Sequence, residues 1–180
     1  MPQLIVTAVG PDRAGIVADL SQKVLAVGAS LADSRMVNLR GHFALLALVE
    51  GAAEQLASLR EQLLAGAEAM GLSVEVREAD ARTVLPAGSV PYRLKTYSVD
   101  QPGIVARITE VLRAHQANVE ELETRVESAP FAGTPLFLLE AVITLPPSMT
   151  ARKLREALEG LEEALGCDVD LDPLGGDRAR

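Results

Sequence analysis

The chain has 180 residues, a formal net charge of −8 and 48% hydrophobic residues. That is length for one ordinary domain or two small ones, and too much apolar content for a wholly disordered chain. The negative charge, the absence of a basic run and an aromatic content of 3% offer a phosphate backbone little to hold, so direct nucleic-acid binding is not expected. No apolar stretch approaches the roughly 18 residues of a membrane span, and no basic region with an apolar run marks a secretory signal. Cys167 is the single cysteine, which leaves no intramolecular disulfide and argues against a cysteine-built zinc cluster. A cytoplasmic protein without a membrane role is expected.

Taken in chain order, residues 4–9 form a short run rich in β-branched side chains, the mark of a strand. Ile16, Leu20, Val24 and Val27 then recur at helical spacing and define one buried stripe. Two strand-like runs follow at 31–40 and 43–49, with Gly41-His42 offering a tight hairpin between them. Leu56, Leu59, Leu63, Ala67 and Met70 predict a second helix, and Leu72, Val74 and Val76 alternate as a closing strand does. Residues 80–90 carry neither period and read as a linker. The pattern then returns. A strand at 92–99 precedes a helical stripe of Ile104, Ile108, Val111 and Leu112. Strands at 119–127 and 136–145 flank a longer loop at 130–135. Leu154, Leu158, Leu161 and Leu165 predict the last helix, and Cys167, Val169 and Leu171 the last strand. A Gly-rich, charged tail at 173–180 is expected to fray.

The recurrence extends to identities. Asp12, Gly15, Ile16, Val17 and Ala18 match Asp100, Gly103, Ile104, Val105 and Ala106 at an offset of 88 residues. The same offset carries Val24 to Leu112, Ala29 to Ala117, Ser30 to Asn118 and Leu31 to Val119, so duplication is the reading. Each half has the order β-α-β-β-α-β. The expected fold class is therefore α+β: two ferredoxin-like repeats, 1–79 and 91–172, each an antiparallel four-stranded sheet with both helices on one face. Residues 43–49 are apolar on both pleat faces, and 136–142 are so apart from Glu140. A solvated outer face would alternate with polar residues. Both outer faces are thus expected to be covered, by the other repeat or by a second subunit of a homodimer.

The turns Asp12-Arg13-Ala14-Gly15-Ile16 and Asp100-Gln101-Pro102-Gly103-Ile104, each between a first strand and a first helix, resemble those of the ACT domain. That family comprises small ferredoxin-like modules that sense amino acids, and the resemblance spans both halves. Two such modules without an attached enzyme resemble the glycine cleavage system transcriptional repressor family, on residues 7–13, 30–35 and 118–125. The resemblance implies a regulator that binds a small amino acid such as glycine or serine and acts through a protein partner such as a transcription factor. It implies no cofactor, no metal and no catalytic residue. Candidate ligand contacts are the ten turn residues together with Ser30 and Asn118, since in relatives the polar residue at this place contacts ligand across the interface between modules. Ala14 stands where the family has Pro and Ser30 where it has Asn; the second repeat keeps Pro102 and Asn118, so elements of the second repeat are the favoured site.

The chemistry suits that role. A helix N-terminus offers unpaired amides and about half a positive charge to a carboxylate. Asp12 and Asp100 would accept hydrogen bonds from an ammonium, and Gly15 and Gly103 would permit close approach to the backbone. The same residues have a purely structural reading. Asp12 and Asp100 would cap the helices, worth about 1 kcal/mol each; Pro102 would open one; Gly15 and Gly103 would serve close helix–sheet packing. Elsewhere, His42 and His115 lack neighbours at metal-ligand spacing. Arg35 and Arg125 read as salt-bridging residues, Cys167 as a core thiol, and Asp168, Asp170 and Asp172 as an exposed acidic pleat face. Two rival functions remain: a protein-binding scaffold without a small ligand, and an enzyme-related module such as the regulatory part of formyltetrahydrofolate deformylase. No nucleophile–base pair supports an enzyme.

Overall fold

The computed structural model describes residues 1–79, 86–128 and 135–174, with 162–164 described in backbone only. Most of the predicted linker (80–85), the predicted loop at 130–134 and the tail from 175 lie outside the described residues. The chain divides into two compact units, Met1–Thr83 and Val84–Arg180. Unit 1 contains β1 (Gln3–Pro11), α1 (Ile16–Ala26), β2 (Ser30–Leu39), β3 (His42–Glu50), α2 (Ala53–Met70) and β4 (Ser73–Glu78). Unit 2 contains β5 (Val90–Val99), α3 (Ile104–Ala114), β6 (Asn118–Ser128), β7 (Pro135–Leu145), α4 (Ala151–Leu165) and β8 (Cys167–Pro173). The sheets have the orders β2-β3-β1-β4 and β6-β7-β5-β8, and every pairing is antiparallel. This is the predicted ferredoxin-like fold, twice.

The cores follow from the two periodicities. On β1, Leu4, Val6 and Ala8 are buried while the alternate residues are not. On α1, Ile16, Leu20 and Val24 turn the same face to that sheet. Phe43, Leu59 and Leu63 complete the first core; Leu94, Ile108, Ile143 and Leu154 anchor the second. Each such fully buried side chain contributes about 1.5–3 kcal/mol relative to exposure. Cys167 is buried as expected, its Sγ lying 3.9 Å from the Leu161 carbonyl.

The hairpin turn falls one residue earlier than predicted. Arg40 and Gly41 are the central pair, with φ of +50° and +80°, and His42 already pairs with Leu39. Two successive positive φ values match the right-handed twist of the flanking strands, which is why the Arg accepts a left-handed conformation. Both edge strands also carry a bulge the alternation did not reveal. Register slips between Leu31 and Asp33 on β2, and between Val119 and Glu121 on β6. The extra residues, Ala32 and Glu120, stand at the same 88-residue offset, so the duplication reaches a local backbone irregularity.

The faces of the two sheets away from the helices mix apolar and charged residues. In unit 1, Val9, Val37, Leu39 and Leu46 are exposed there beside Asp33, Arg35, Glu75 and Arg77. In unit 2, β7 contributes Leu136, Leu138 and Val142, but its neighbours bring charge. Arg93 and Lys95 on β5, Asp168, Asp170 and Asp172 on β8, and Glu121, Glu123, Arg125 and Glu127 on β6 share that face. The expectation of apolar outer faces, drawn from β3 and β7 alone, is corrected by register in both units.

Candidate ligand-binding turns

Both first helices start immediately after the glycine of the shared turn. Gly15 has φ +86° and Gly103 φ +94°, and each occupies the N-cap position of its helix. A Cβ built on either would meet nothing within 4 Å. The packing explanation for these glycines therefore fails. They are required by the left-handed conformation that swings the strand into the helix, which an L-residue adopts at a cost of about 1–2 kcal/mol.

The capping explanation for the aspartates fails too, since neither helix has a side-chain cap. Asp12 instead accepts a hydrogen bond from the Asn38 amide, and Asn38 Oδ1 accepts from the Gly41 amide 3.2 Å away. The Asp100 carboxylate has no such partner among the described residues. In both units the aspartate's own amide ties the turn to the neighbouring hairpin strand, Asp12 donating to the Gly41 carbonyl (2.8 Å) and Asp100 to that of Pro135 (3.1 Å). Pro102 is not the first helical residue; α3 begins at Ile104, and Pro102 lies in the turn ahead of it. The Ile16 and Ile104 side chains are core, 3% and 2% exposed, so only their backbone faces the turn.

The two turns differ in charge. Arg13 bonds Asp19 at 2.6 Å, an ion pair lying across the start of α1, beside Ala14. At the same offset unit 2 has Gln101 and Arg107. Gln101 Nε2 donates to the Leu165 carbonyl at 2.6 Å, and the first turn of α3 holds no acidic residue. The anion-attracting end of α3 thus has a guanidinium where α1 has a carboxylate. The first amides of α3 face an uncapped, more positive environment than those of α1.

Ser30 and Asn118 open the edge strands β2 and β6, and both are exposed. The Asn118 amide donates to Glu120 at 2.7 Å. Each lies beyond the far end of its unit's first helix, and 11 helical residues span about 16 Å. The five residues of each turn come together; Ser30 and Asn118 do not join the turn of their own unit. Arg35 and Arg125 pair along their own strands, with Asp33 and Glu127, both at 2.7 Å. Among the described residues no group of three His, Cys, Asp or Glu is placed to hold a metal, and no helix is long and apolar enough to cross a membrane.

Sequence reasoning passed over Thr96 and Ser98. Both are buried on the core face of β5, at 0% and 5% exposure, and their hydroxyls have no hydrogen-bond partner among the described residues. Their counterparts in unit 1 are Ala8 and Gly10. The 88-residue alignment contains that signal: hydroxyls in one repeat where the other has none.

Each unit is a ferredoxin-like module that opens its first helix from a left-handed glycine. The model of the family described as ACT domain matches residues 2–77, so unit 1 belongs to the ACT domain family, and unit 2 repeats its fold. It is 27% identical over 159 residues to the glycine cleavage system transcriptional repressor of Escherichia coli (strain K12), covering 88% of this chain and 83% of that protein. Over 70 residues it is 40% identical to a UPF0237 protein of Methanopyrus kandleri, covering 39% of this chain and 72% of that one. The solved structure of an unknown protein from Galdieria sulphuraria superposes with a TM-score of 0.80 at 32% identity, over 96% of this chain and 98% of the other.

Proposed function

We propose that the chain is an amino-acid-responsive regulator whose ligand site is the α3 turn of unit 2. The observation that carries this reading is the contrast between the turns. Around α1 the Arg13–Asp19 pair is closed on itself and Asp12 is engaged by Asn38. Around α3, whose start is uncapped like that of α1, Arg107 replaces the carboxylate and Asp100 is unengaged among the described residues. A free amino acid is complementary to that arrangement. Its carboxylate lies on the first amides of α3 and its ammonium on Asp100. The similarity to a glycine cleavage repressor favours glycine or serine as that ligand.

Asn118 stands a helix length from its own turn, so it completes a ligand site only when the edge strand of a second copy is brought up to that turn. Ligand binding then favours a homodimer, with a coupling of about 1–3 kcal/mol. The negative charge and scattered basic residues support action through a protein partner rather than on DNA. The similarity to a transcriptional repressor supports a transcription factor as that partner, in the cytoplasm.

A thermal-shift screen of the full chain against the twenty amino acids tests the reading. A ligand held only by the folded state adds about 2.7 kcal/mol of stability at one hundred times its dissociation constant. A selective shift with glycine or serine supports a sensor. No shift at millimolar concentrations of any amino acid contradicts it and favours the scaffold that binds protein alone.

A further inference from the structure

The open face of the second sheet carries a depression of about 100 Å³ that the α3 turn does not touch. Lys95, Tyr97, Glu123, Arg125 and Glu140 wall it, and Leu138 lies within it. The depression opens to solvent and has room for the carboxylate, ammonium and α-carbon of an amino acid.

Register makes the arrangement unusual. Glu123 stands directly opposite Glu140, and Glu140 directly opposite Lys95. Like charges directly opposed on neighbouring strands destabilise a sheet. Arg93 approaches Glu140 at 3.3 Å from β5, and Arg125 pairs with Glu127 at 2.7 Å rather than with either carboxylate of the depression. Neither Lys95 nor Glu123 has an ion-pair partner among the described residues. Their strands flank β7 and so lie about 10 Å apart, a gap suited to one small molecule bearing both charges. Unit 1 has no such constellation: its corresponding residues are Thr7, Arg35 and Leu46.

We propose that this depression is a second binding site, for a small zwitterion of the α-amino-acid class. The ammonium sits between the opposed carboxylates of Glu123 and Glu140 and donates to both. The carboxylate accepts from the Lys95 ammonium and the Tyr97 hydroxyl, and the carbon skeleton rests on Leu138. The site is independent of the α3 turn and stands or falls separately from it.

Amide chemical-shift titration of the full chain tests this, with glycine, alanine, phenylalanine, methylamine and acetate as probes. Glycine, alanine and phenylalanine are expected to shift the amides of Lys95, Tyr97, Glu123 and Arg125 saturably, and methylamine and acetate to bind more weakly. Lys95→Ala and Glu123→Gln, both at surface positions, are each expected to weaken binding about tenfold, the loss of one charge-assisted hydrogen bond. Asp100→Ala is expected to leave these shifts intact. Shifts confined to residues 100–104, unchanged affinity in Glu123→Gln, or methylamine binding as tightly as glycine would each overturn the proposal.

Discussion

Replacing Gly103 by Ala separates conformational from steric need at the turn. The new Cβ meets nothing within 4 Å, so the whole cost is holding an L-residue at φ +94°, about 1–2 kcal/mol. For a unit of this size each kcal/mol lowers the unfolding midpoint by roughly 4–8 °C. Gly103→Asn is expected to recover part of that loss, because asparagine tolerates the left-handed region better than alanine. Gly10→Ala provides the opposite case. Its Cβ would lie 2.4 Å from the Gly71 carbonyl oxygen and 2.9 Å from Leu72 Cδ2, at a position where φ is not left-handed. Overpacking against backbone costs about 3 kcal/mol, the upper end of the usual range. Urea unfolding of the three variants, followed by far-ultraviolet circular dichroism, is expected to order them as Gly103→Asn, Gly103→Ala, Gly10→Ala from mildest to harshest. Equal losses for Gly103→Ala and Gly10→Ala, or no benefit of Asn over Ala, would refute the reasoning.

Arg107→Asp reverses two charges' worth of potential at the start of α3, and at about 0.3–1 kcal/mol per charge it should weaken amino-acid binding about 3- to 30-fold, read by calorimetry. Arg13→Ala removes an ion pair whose side chains are 43% and 49% exposed, so unfolding free energy should change by less than about 1 kcal/mol. Leu59→Ala leaves a cavity at a fully buried position of unit 1, and amide exchange should report about 2–5 kcal/mol of lost protection across that unit.

Much of this architecture is legible in the sequence because helix and strand periods differ and because each is written twice. The stripe Ile16, Leu20, Val24 and its counterpart Ile104, Ile108, Leu112 are buried as their spacing predicts. What escapes is what register decides. Alternation along residues 30–39 breaks at the Ala32 bulge, which no residue type there announces. The charged face of unit 2 arises when Lys95, Glu140 and Glu123 from three strands fall into one row; each looks ordinary in its own segment. The turns show the same division. Asp-x-x-Gly-Ile marks the place, but the capping role assigned to the aspartates fails because Gly15 and Gly103, three residues on, occupy the N-cap positions. The exchange of Asp19 for Arg107 is visible in the repeat alignment and gains meaning only once both residues stand at a helix start.

An amino acid held by the α3 turn moves the first amides of that helix. The direct measurement is an amide-shift titration of Ile104, Val105 and Ala106 with glycine and with serine, in the native chain and in the Asp100→Ala, Asn118→Ala double variant. Saturable shifts at these amides are expected in the native chain, and their loss in the folded double variant. Unchanged affinity at the same amides in that variant, or amides that do not move with either ligand, would contradict an amino-acid site at this turn.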